Sequence, residues 1–171
     1  FSASQQEAVR LALEQYSNIA DITFVEVSET ASEVGTLRFG FTDYQYLSSE
    51  TGKPFAGWAS TPGSRAKDGD IWISSTSMNK TFERSSDYTF KTLLHEIGHA
   101  LGLPHNMKAS FAYPTDSLRS PSFTNKWGLA STLMDYTRYN YVAQPGDGEV
   151  RWVRMLGPYD SYAINWGYRV I

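Results

Sequence analysis

The three histidines of this 171-residue chain, at positions 95, 99 and 105, lie in one short stretch. His95 and His99 are four residues apart, so on a helix they share a face and can bind one metal ion. Glu96 follows the first histidine, where its carboxylate can reach a water on that ion. Gly102 permits the positive φ of a sharp turn, which would bring His105 back as a third nitrogen ligand.

This donor set predicts an open zinc site. Three neutral imidazoles leave one tetrahedral position for water, as in catalytic rather than structural zinc. Zinc lowers the pKa of such a water from about 15.7 towards about 7. Glu96 would then accept its proton during attack on a peptide carbonyl and pass it to the leaving amine. Other divalent metals could substitute in vitro. The alternative is a helix whose three histidines are structurally satisfied or exposed.

The helix that must carry these residues is the most clearly patterned segment of the chain. Helically spaced apolar residues predict it over residues 87–101, with Ser86 or Asp87 as its cap. Gly102 ends this helix and Pro104 prevents it from resuming. The apolar face consists of Phe90, Leu93, Leu94, Ile97 and Leu101.

Other elements are predicted on both sides of this helix. Ser4 and Glu7 form a capping box that predicts a first helix over residues 4–16. A closing helix is expected over residues 158–166, with Pro158 in its first turn. Between residues 105 and 157 regular structure is hard to predict. β-branched and aromatic runs predict strands over residues 21–27, 36–41, 55–60 and 71–73, with a loop at 44–54 and a turn at 68–70.

These elements indicate an α+β fold. We expect a small twisted mixed sheet, a long zinc-binding helix and a loop-rich C-terminal half that ends in a helix. The length predicts a single domain over residues 1–171. Within it, residues 1–105 would hold the sheet and the active-site helix, and residues 106–171 the remainder.

Composition excludes several classes of function. No cysteine is present, which rules out disulfides, thiolate metal sites, cysteine nucleophiles and zinc deaminase chemistry. A net charge of −3 without a basic stripe argues against nucleic-acid binding. No apolar run approaches the roughly 18 residues of a membrane span. A serine hydrolase is excluded because there is no Gly-x-Ser-x-Gly elbow and every histidine is already assigned.

The extended motif from His95 to His105 resembles that of the metzincin clan of zinc endopeptidases. Up to about residue 105 the chain resembles serralysins, for example in "ITFVEVSE", "GDIWIS" and "FKTLLHEIGHALGLPH". The rest resembles a family of large bacterial zinc metallopeptidases, for example in "LMDYTRYNYVAQPGDGE" and "GPYDSYAINWGYR". Two features depart from serralysins. Asn106 replaces the usual proline after the third ligand, and the glycine-rich calcium repeats are absent.

The resemblance implies roles for two further residues. The stretch 131–136, Ser-Thr-Leu-Met-Asp-Tyr, matches the methionine turn of the clan, so Met134 is expected to pack beneath the histidines. Tyr136 stands where serralysins and astacins carry a tyrosine near the zinc. It is expected to bind the metal at rest and to stabilise the oxyanion in the transition state. The alternatives are an ordinary core methionine and a core or rim aromatic.

The resemblance also implies an extended substrate that adds to an edge strand of the sheet. It places that edge at Gly57, Trp58 and Ala59, for which a buried strand is the alternative. The pocket wall is expected within residues 130–141, where a solvated loop is the alternative. Its candidate residues are Arg138, Tyr139, Asn140 and Tyr141.

Asp68, Asp70 and Asp147 are candidate calcium ligands, although their Gly-containing contexts favour ordinary turns. The resulting hypothesis is a secreted, bacterial, monomeric zinc endopeptidase that acts on protein or peptide substrates and does not bind nucleic acid. The alternatives are a non-catalytic zinc-containing module that binds peptides or glycans, and an inactive fragment or design on this fold.

Overall fold

The computed structural model describes residues 1–43, 55–75, 88–137, 139–152 and 155–169. It divides into two compact units, residues 1–102 and 103–171. The predicted loop at 44–54, the helix caps Ser86 and Asp87, and Arg138 lie outside the described residues. The single-domain organisation stays a prediction. In chain order the elements are α1 (Ala3–Ala20), β1 (Arg38–Thr42), β2 (Gly57–Ala59), β3 (Asp70–Ser74), α2 (Tyr88–Ala100), a 3-10 helix (Met107–Phe111), α3 (Thr115–Leu118), α4 (Pro121–Trp127) and α5 (Pro158–Tyr168).

The first unit contains a mixed sheet with the strand order β1-β3-β2. β1 pairs parallel with β3, in a register that places Arg38 opposite Asp70. β2 pairs antiparallel with β3, with Trp58 opposite Trp72. Three of the four predicted strands are therefore confirmed with shifted ends, and so is the small mixed sheet of the α+β prediction.

The fourth strand prediction, over residues 21–27, is wrong. This segment belongs to no strand, and only Ile22 and Phe24 within it are half-buried. Arg10 on α1 holds the segment through a pair of hydrogen bonds of 3.0 Å to Glu26. A β-branched sequence favours extended backbone, but a strand forms only where a partner supplies the ladder of hydrogen bonds. Here the segment runs beside α1 instead.

Helix α1 begins earlier and ends later than predicted. Its cap is Ser2 rather than Ser4, because Ser2 and Gln5 form the capping box: the Ser2 N–H donates to Gln5 Oε1 at 2.7 Å. Asp21, with a φ of 54°, ends the helix in the left-handed region. On its buried face, Tyr16 is fully enclosed and donates a hydrogen bond of 2.7 Å to the carbonyl of Leu94 on α2.

Helix α2 is buried on nearly every side in the described structure. Phe90, Leu93, Leu94 and Ile97 are at most 2% exposed. Ile71 and Ile73 of β3 are likewise fully buried. The apolar face predicted from spacing is therefore the core of this unit, and it holds the histidine-bearing helix rigid.

The second unit contains short helices that the sequence pattern did not reveal. Ser120 caps α4 and Pro121 occupies its first turn. Gly128, with a φ of 75°, ends it. Helix α5 begins at Pro158, as predicted, and extends two residues beyond the predicted end. The described residues contain no helix that combines the length and the apolar character needed to cross a membrane.

Candidate functional site

Helix α2 presents His95, Glu96 and His99 within little more than one turn. The centroids of the two imidazoles lie 4.7 Å apart, with their planes perpendicular. His95 and Glu96 are 4% and 5% exposed, and His99 is half-buried. Burial on a rigid helix fixes the directions of these side chains, as a metal site requires.

The chain turns sharply where α2 ends. Gly102 has a φ of 95°, and its N–H donates to the carbonyl of His99 at 2.9 Å. The predicted turn at this glycine is therefore confirmed. His105 follows three residues later and is exposed.

The Gly102→Ala variant is expected to lose about 1–2 kcal/mol of unfolding free energy, because a Cβ is disfavoured at this backbone conformation. The methyl group would not clash with its surroundings, since the nearest atom, Pro62 Cγ, would lie 4.0 Å from it. Gly146→Ala is the matched control, because a Cβ there meets nothing within 4 Å and φ is not positive. Urea denaturation measures both variants. Equal losses in the two would contradict the proposed strain.

The three histidines form one cluster, in which a ring nitrogen of each lies within 4.8 Å of the others. Zinc binds imidazole nitrogen at about 2.0–2.1 Å, so small side-chain rotations would bring all three onto one ion. Three neutral nitrogen donors also suit zinc chemically. Within the described residues, no other group of three or more His, Asp or Glu side chains comes together in this way. The cluster therefore fits the metal that the sequence predicted.

Met134 lies in a turn that is fully buried. Its N–H donates to Thr132 Oγ1 at 3.0 Å, and its carbonyl accepts from the N–H of Asn106 at 3.2 Å. The chain therefore turns at Met134, and the packing of this residue beneath the histidines stays a prediction.

The residue that holds this turn is Asp160, which the sequence analysis missed. Asp160 is fully buried in the first turn of α5. Its Oδ2 accepts from the N–H groups of Leu133 and Gly157, each at 2.7 Å, and its Oδ1 accepts from the hydroxyl of Thr132. Its partners 27 and 28 residues away leave no local pattern in the sequence. The local signal in the sequence is that Asp160 stands three residues after Gly157, which is the spacing of a capping box.

Tyr136 lies beside the third histidine. Its ring centroid is 4.6 Å from that of His105, at an angle of 61° between the planes. Half of the tyrosine, 49%, is exposed, so it is not a core aromatic. A phenol in this position can contact a molecule that approaches His105.

The strand β2 passes directly beside the glutamate of α2. Gly57 is buried, and a Cβ built on it would lie 3.2 Å from Glu96 Cγ and 3.2 Å from Thr92 Cγ2. Trp58 and Ala59 are half-buried. Glycine thus permits a close approach of strand and helix at this point.

The expected pocket wall divides into two kinds of residue. Tyr139 and Tyr141 are exposed and contact each other edge-on, with ring centroids 6.0 Å apart. Asn140 is 3% exposed, and its amide donates to the carbonyls of Leu118 and Arg151 at 2.7 and 3.2 Å. Asn140 therefore has a structural role, because its amide links the segments that contain Leu118 and Arg151. The two tyrosines face solvent.

Each candidate calcium ligand is engaged by an arginine. Asp68 accepts from Arg65, Asp70 from Arg38, and Asp147 from Arg119, at 3.0, 2.7 and 2.7 Å. The N–H of Arg65, followed by its guanidinium, lowers the pKa of Asp68, and the guanidinium of Arg119 lowers that of Asp147. A cation would have to displace these guanidinium groups, so the geometry favours the turn interpretation.

Comparison with known proteins matches the chain to two related families. The model of the matrixin family matches residues 2–126, and that of a family described as Met-zincin matches residues 86–171. Both models include the histidine motif. Curated relatives include serralysin A of Dickeya chrysanthemi, 32% identical over 85% of this chain, and metallopeptidase AprA of Pseudomonas marginalis, 31% identical over 81%. The chain spans 31% and 30% of the lengths of these two relatives.

A buried helix carries two of the histidines, and a glycine turn leads from that helix towards the third, as the pattern of the zincins requires. With both family models in agreement, the chain belongs to the metzincin clan of zinc metallopeptidases. The matrixin model covers the N-terminal part and the Met-zincin model the C-terminal part, and the two overlap over residues 86–126.

Proposed function

We propose that this chain is a zinc-dependent endopeptidase. The observation that carries the proposal is the cluster of three imidazoles together with the buried residue Glu96, which lies on the same helix as His95 and His99. A structural zinc site would be closed by a fourth protein ligand and would have no use for a neighbouring glutamate. A donor set of three leaves room for a reacting water.

His95, His99 and His105 would hold the ion. When bound, zinc supplies a water of lowered pKa and polarises the scissile carbonyl. Glu96 accepts the proton of the attacking water and delivers it to the amine of the leaving peptide. Because Glu96 directly follows the metal ligand His95 on α2, its carboxylate would stay close to the reacting atoms during both proton transfers.

Tyr136 is proposed to stabilise the oxyanion with its phenolic O–H. Its contact with His105 and its half-exposed position support this role. Tyr136→Phe should lower kcat by about 10²-fold, as expected for loss of one oxyanion donor. KM should change little, and zinc affinity should fall if the phenol also binds the metal at rest. Steady-state kinetics and zinc titration measure these quantities, and an unchanged kcat would remove Tyr136 from the mechanism.

The substrate is proposed to extend along β2. The main-chain N–H of Ser60 donates to the carbonyl of Asp70, and the main-chain N–H of Ser74 donates to the carbonyl of Ala56, both at 2.9 Å. Because main-chain groups alternate along an antiparallel strand, Gly57 and Ala59 direct theirs away from β3. A peptide could pair with these groups beside Glu96, and main-chain pairing would give affinity without strong side-chain selection.

Ala59→Pro tests this arrangement. Proline removes an N–H that does not bind β3, which edge strands tolerate. Loss of one substrate hydrogen bond should raise KM about three- to tenfold with kcat nearly unchanged. The control, Ser60→Pro, removes an N–H that does bind β3 and should lower the melting temperature instead. An unchanged KM in folded Ala59→Pro would place the substrate elsewhere.

The activity itself is tested by digesting a broad peptide library with the zinc-loaded chain, with and without a chelator. We expect internal cleavages that stop on chelation and return when zinc is added. A chain that binds zinc and peptides without cleaving any would be a binding module instead. Cleavage that continues in chelator would refute the zinc mechanism.

The proposal includes a secreted, bacterial and monomeric protein. The resemblance to serralysins and the bacterial relatives support the bacterial source and the secretion. Fractionation of the source cells, with detection by antibody, tests the location. Light scattering of the purified chain tests the monomer. Recovery in the cytoplasm, or a dimer at micromolar concentration, would contradict it.

A further inference from the structure

The chain that follows His105 is tied to the methionine turn by side-chain and main-chain hydrogen bonds. Asp135, the residue after Met134, is 3% exposed. Its Oδ2 accepts from both the N–H and the hydroxyl of Ser110, at 2.7 and 2.6 Å. Ser110 belongs to the 3-10 helix that begins two residues after His105. A buried carboxylate thus anchors the segment that emerges from the third histidine.

Two further contacts complete this anchor. The N–H of Asn106 donates to the carbonyl of Met134 at 3.2 Å. The hydroxyls of Ser110 and Thr137 lie 3.0 Å apart. Tyr136 lies between Asp135 and Thr137 in sequence, and its ring contacts His105. These hydrogen bonds therefore hold the segments that directly follow His105 and that flank Tyr136.

The anchor also explains why proline is absent after the third histidine. Asn106 has a φ of −131°, far from the value near −65° that a proline ring imposes. Proline would also lack the N–H that binds Met134. In this chain, hydrogen bonds restrain the backbone at the point where a ring would otherwise stiffen it.

We propose that Asp135 is a positioning residue for His105, an inference that rests on the zinc site proposed above. His105 is exposed, and it lies beyond the end of the rigid helix α2. Without Asp135, residues 106–110 would have to be ordered when zinc binds. That ordering cost would appear as weaker metal affinity, even though Asp135 is not one of the three proposed metal ligands.

The test is the dissociation constant for zinc, measured by chelator competition on the full chain. Loss of an outer-shell group typically weakens metal binding 10–100-fold, so Asp135→Asn should weaken it at least about tenfold. Ser110→Ala keeps the main-chain bond and should weaken it about threefold. The matched control is Asp147→Asn: Asp147 likewise accepts a main-chain N–H, that of Gln144 at 2.7 Å, but in another loop. The dissociation constant of this control variant for zinc should stay within about twofold of that of the unchanged chain.

Circular dichroism of the zinc-free proteins separates positioning from general stability. Zinc binding by the unchanged chain and a tenfold loss in Asp135→Asn alone, with intact helix content, would support the inference. Equal affinities in the unchanged chain and in Asp135→Asn, or equal losses in Asp135→Asn and Asp147→Asn, would overturn it. If Asp135→Asn fails to fold, Ser110→Ala decides by the same comparison. An unchanged chain that fails to bind zinc would instead refute the proposed function.

Discussion

Replacing Glu96 by glutamine should lower kcat by about 10²–10⁴-fold, the usual contribution of a positioned acid or base. The amide has nearly the shape of the carboxylate but cannot accept the proton of the attacking water. Because the three imidazoles are unchanged, zinc content should stay at one ion per chain. Single-turnover cleavage of a fluorogenic peptide and metal analysis of the same sample measure both quantities.

Glu14→Gln provides the matched control, because this glutamate is exposed on another helix of the same unit. It should retain full activity. Substantial cleavage by Glu96→Gln would remove the general-base role, whereas loss of zinc from that variant would show that Glu96 acts through the metal site instead.

His99→Ala should abolish activity by removing one of the three metal donors. Loss of an outer-shell partner weakens metal binding 10–100-fold, so loss of a ligand should exceed about 100-fold. At a zinc concentration of 100 times the dissociation constant of the unchanged chain, zinc binding should raise the unfolding free energy of that chain by about 2.7 kcal/mol. The variant should gain no more than about 0.4 kcal/mol under the same conditions.

Chelation followed by readdition of zinc supplies the control within one experiment. The unchanged chain should lose and then recover cleavage, whereas His99→Ala should recover none. A variant that keeps both zinc and activity would show that His99 is not a ligand.

The site was predictable from the sequence where its geometry is local. Four-residue spacing places His95 and His99 on one face of any helix, and the apolar residues around them predict that helix independently. Gly102 predicts the turn because few other residues adopt its backbone conformation readily. The family comparisons then confirmed the clan that these residues suggested.

The rest depends on partners that are distant in the chain. The partners of Asp135 and Asp160 were not predicted, since the hydrogen bonds to Ser110, Thr132 and Leu133 join residues 25 to 28 positions apart. The strand predicted over residues 21–27 failed for the same reason: propensity describes a residue, whereas a ladder needs a second strand. By contrast, α4 was missed although Ser120, Pro121 and Gly128 mark its ends locally.

The burial of Asp160, whose carboxylate holds the turn at Met134, also determines when during synthesis this part of the chain can fold. The turn is complete only after the carboxylate of Asp160 has reached the N–H groups of Leu133 and Gly157. A nascent chain on the ribosome would carry all three histidines long before this residue emerges. We therefore expect synthesis intermediates that stop between His105 and Asp160 to lack an ordered turn at Met134 and to cleave no peptide.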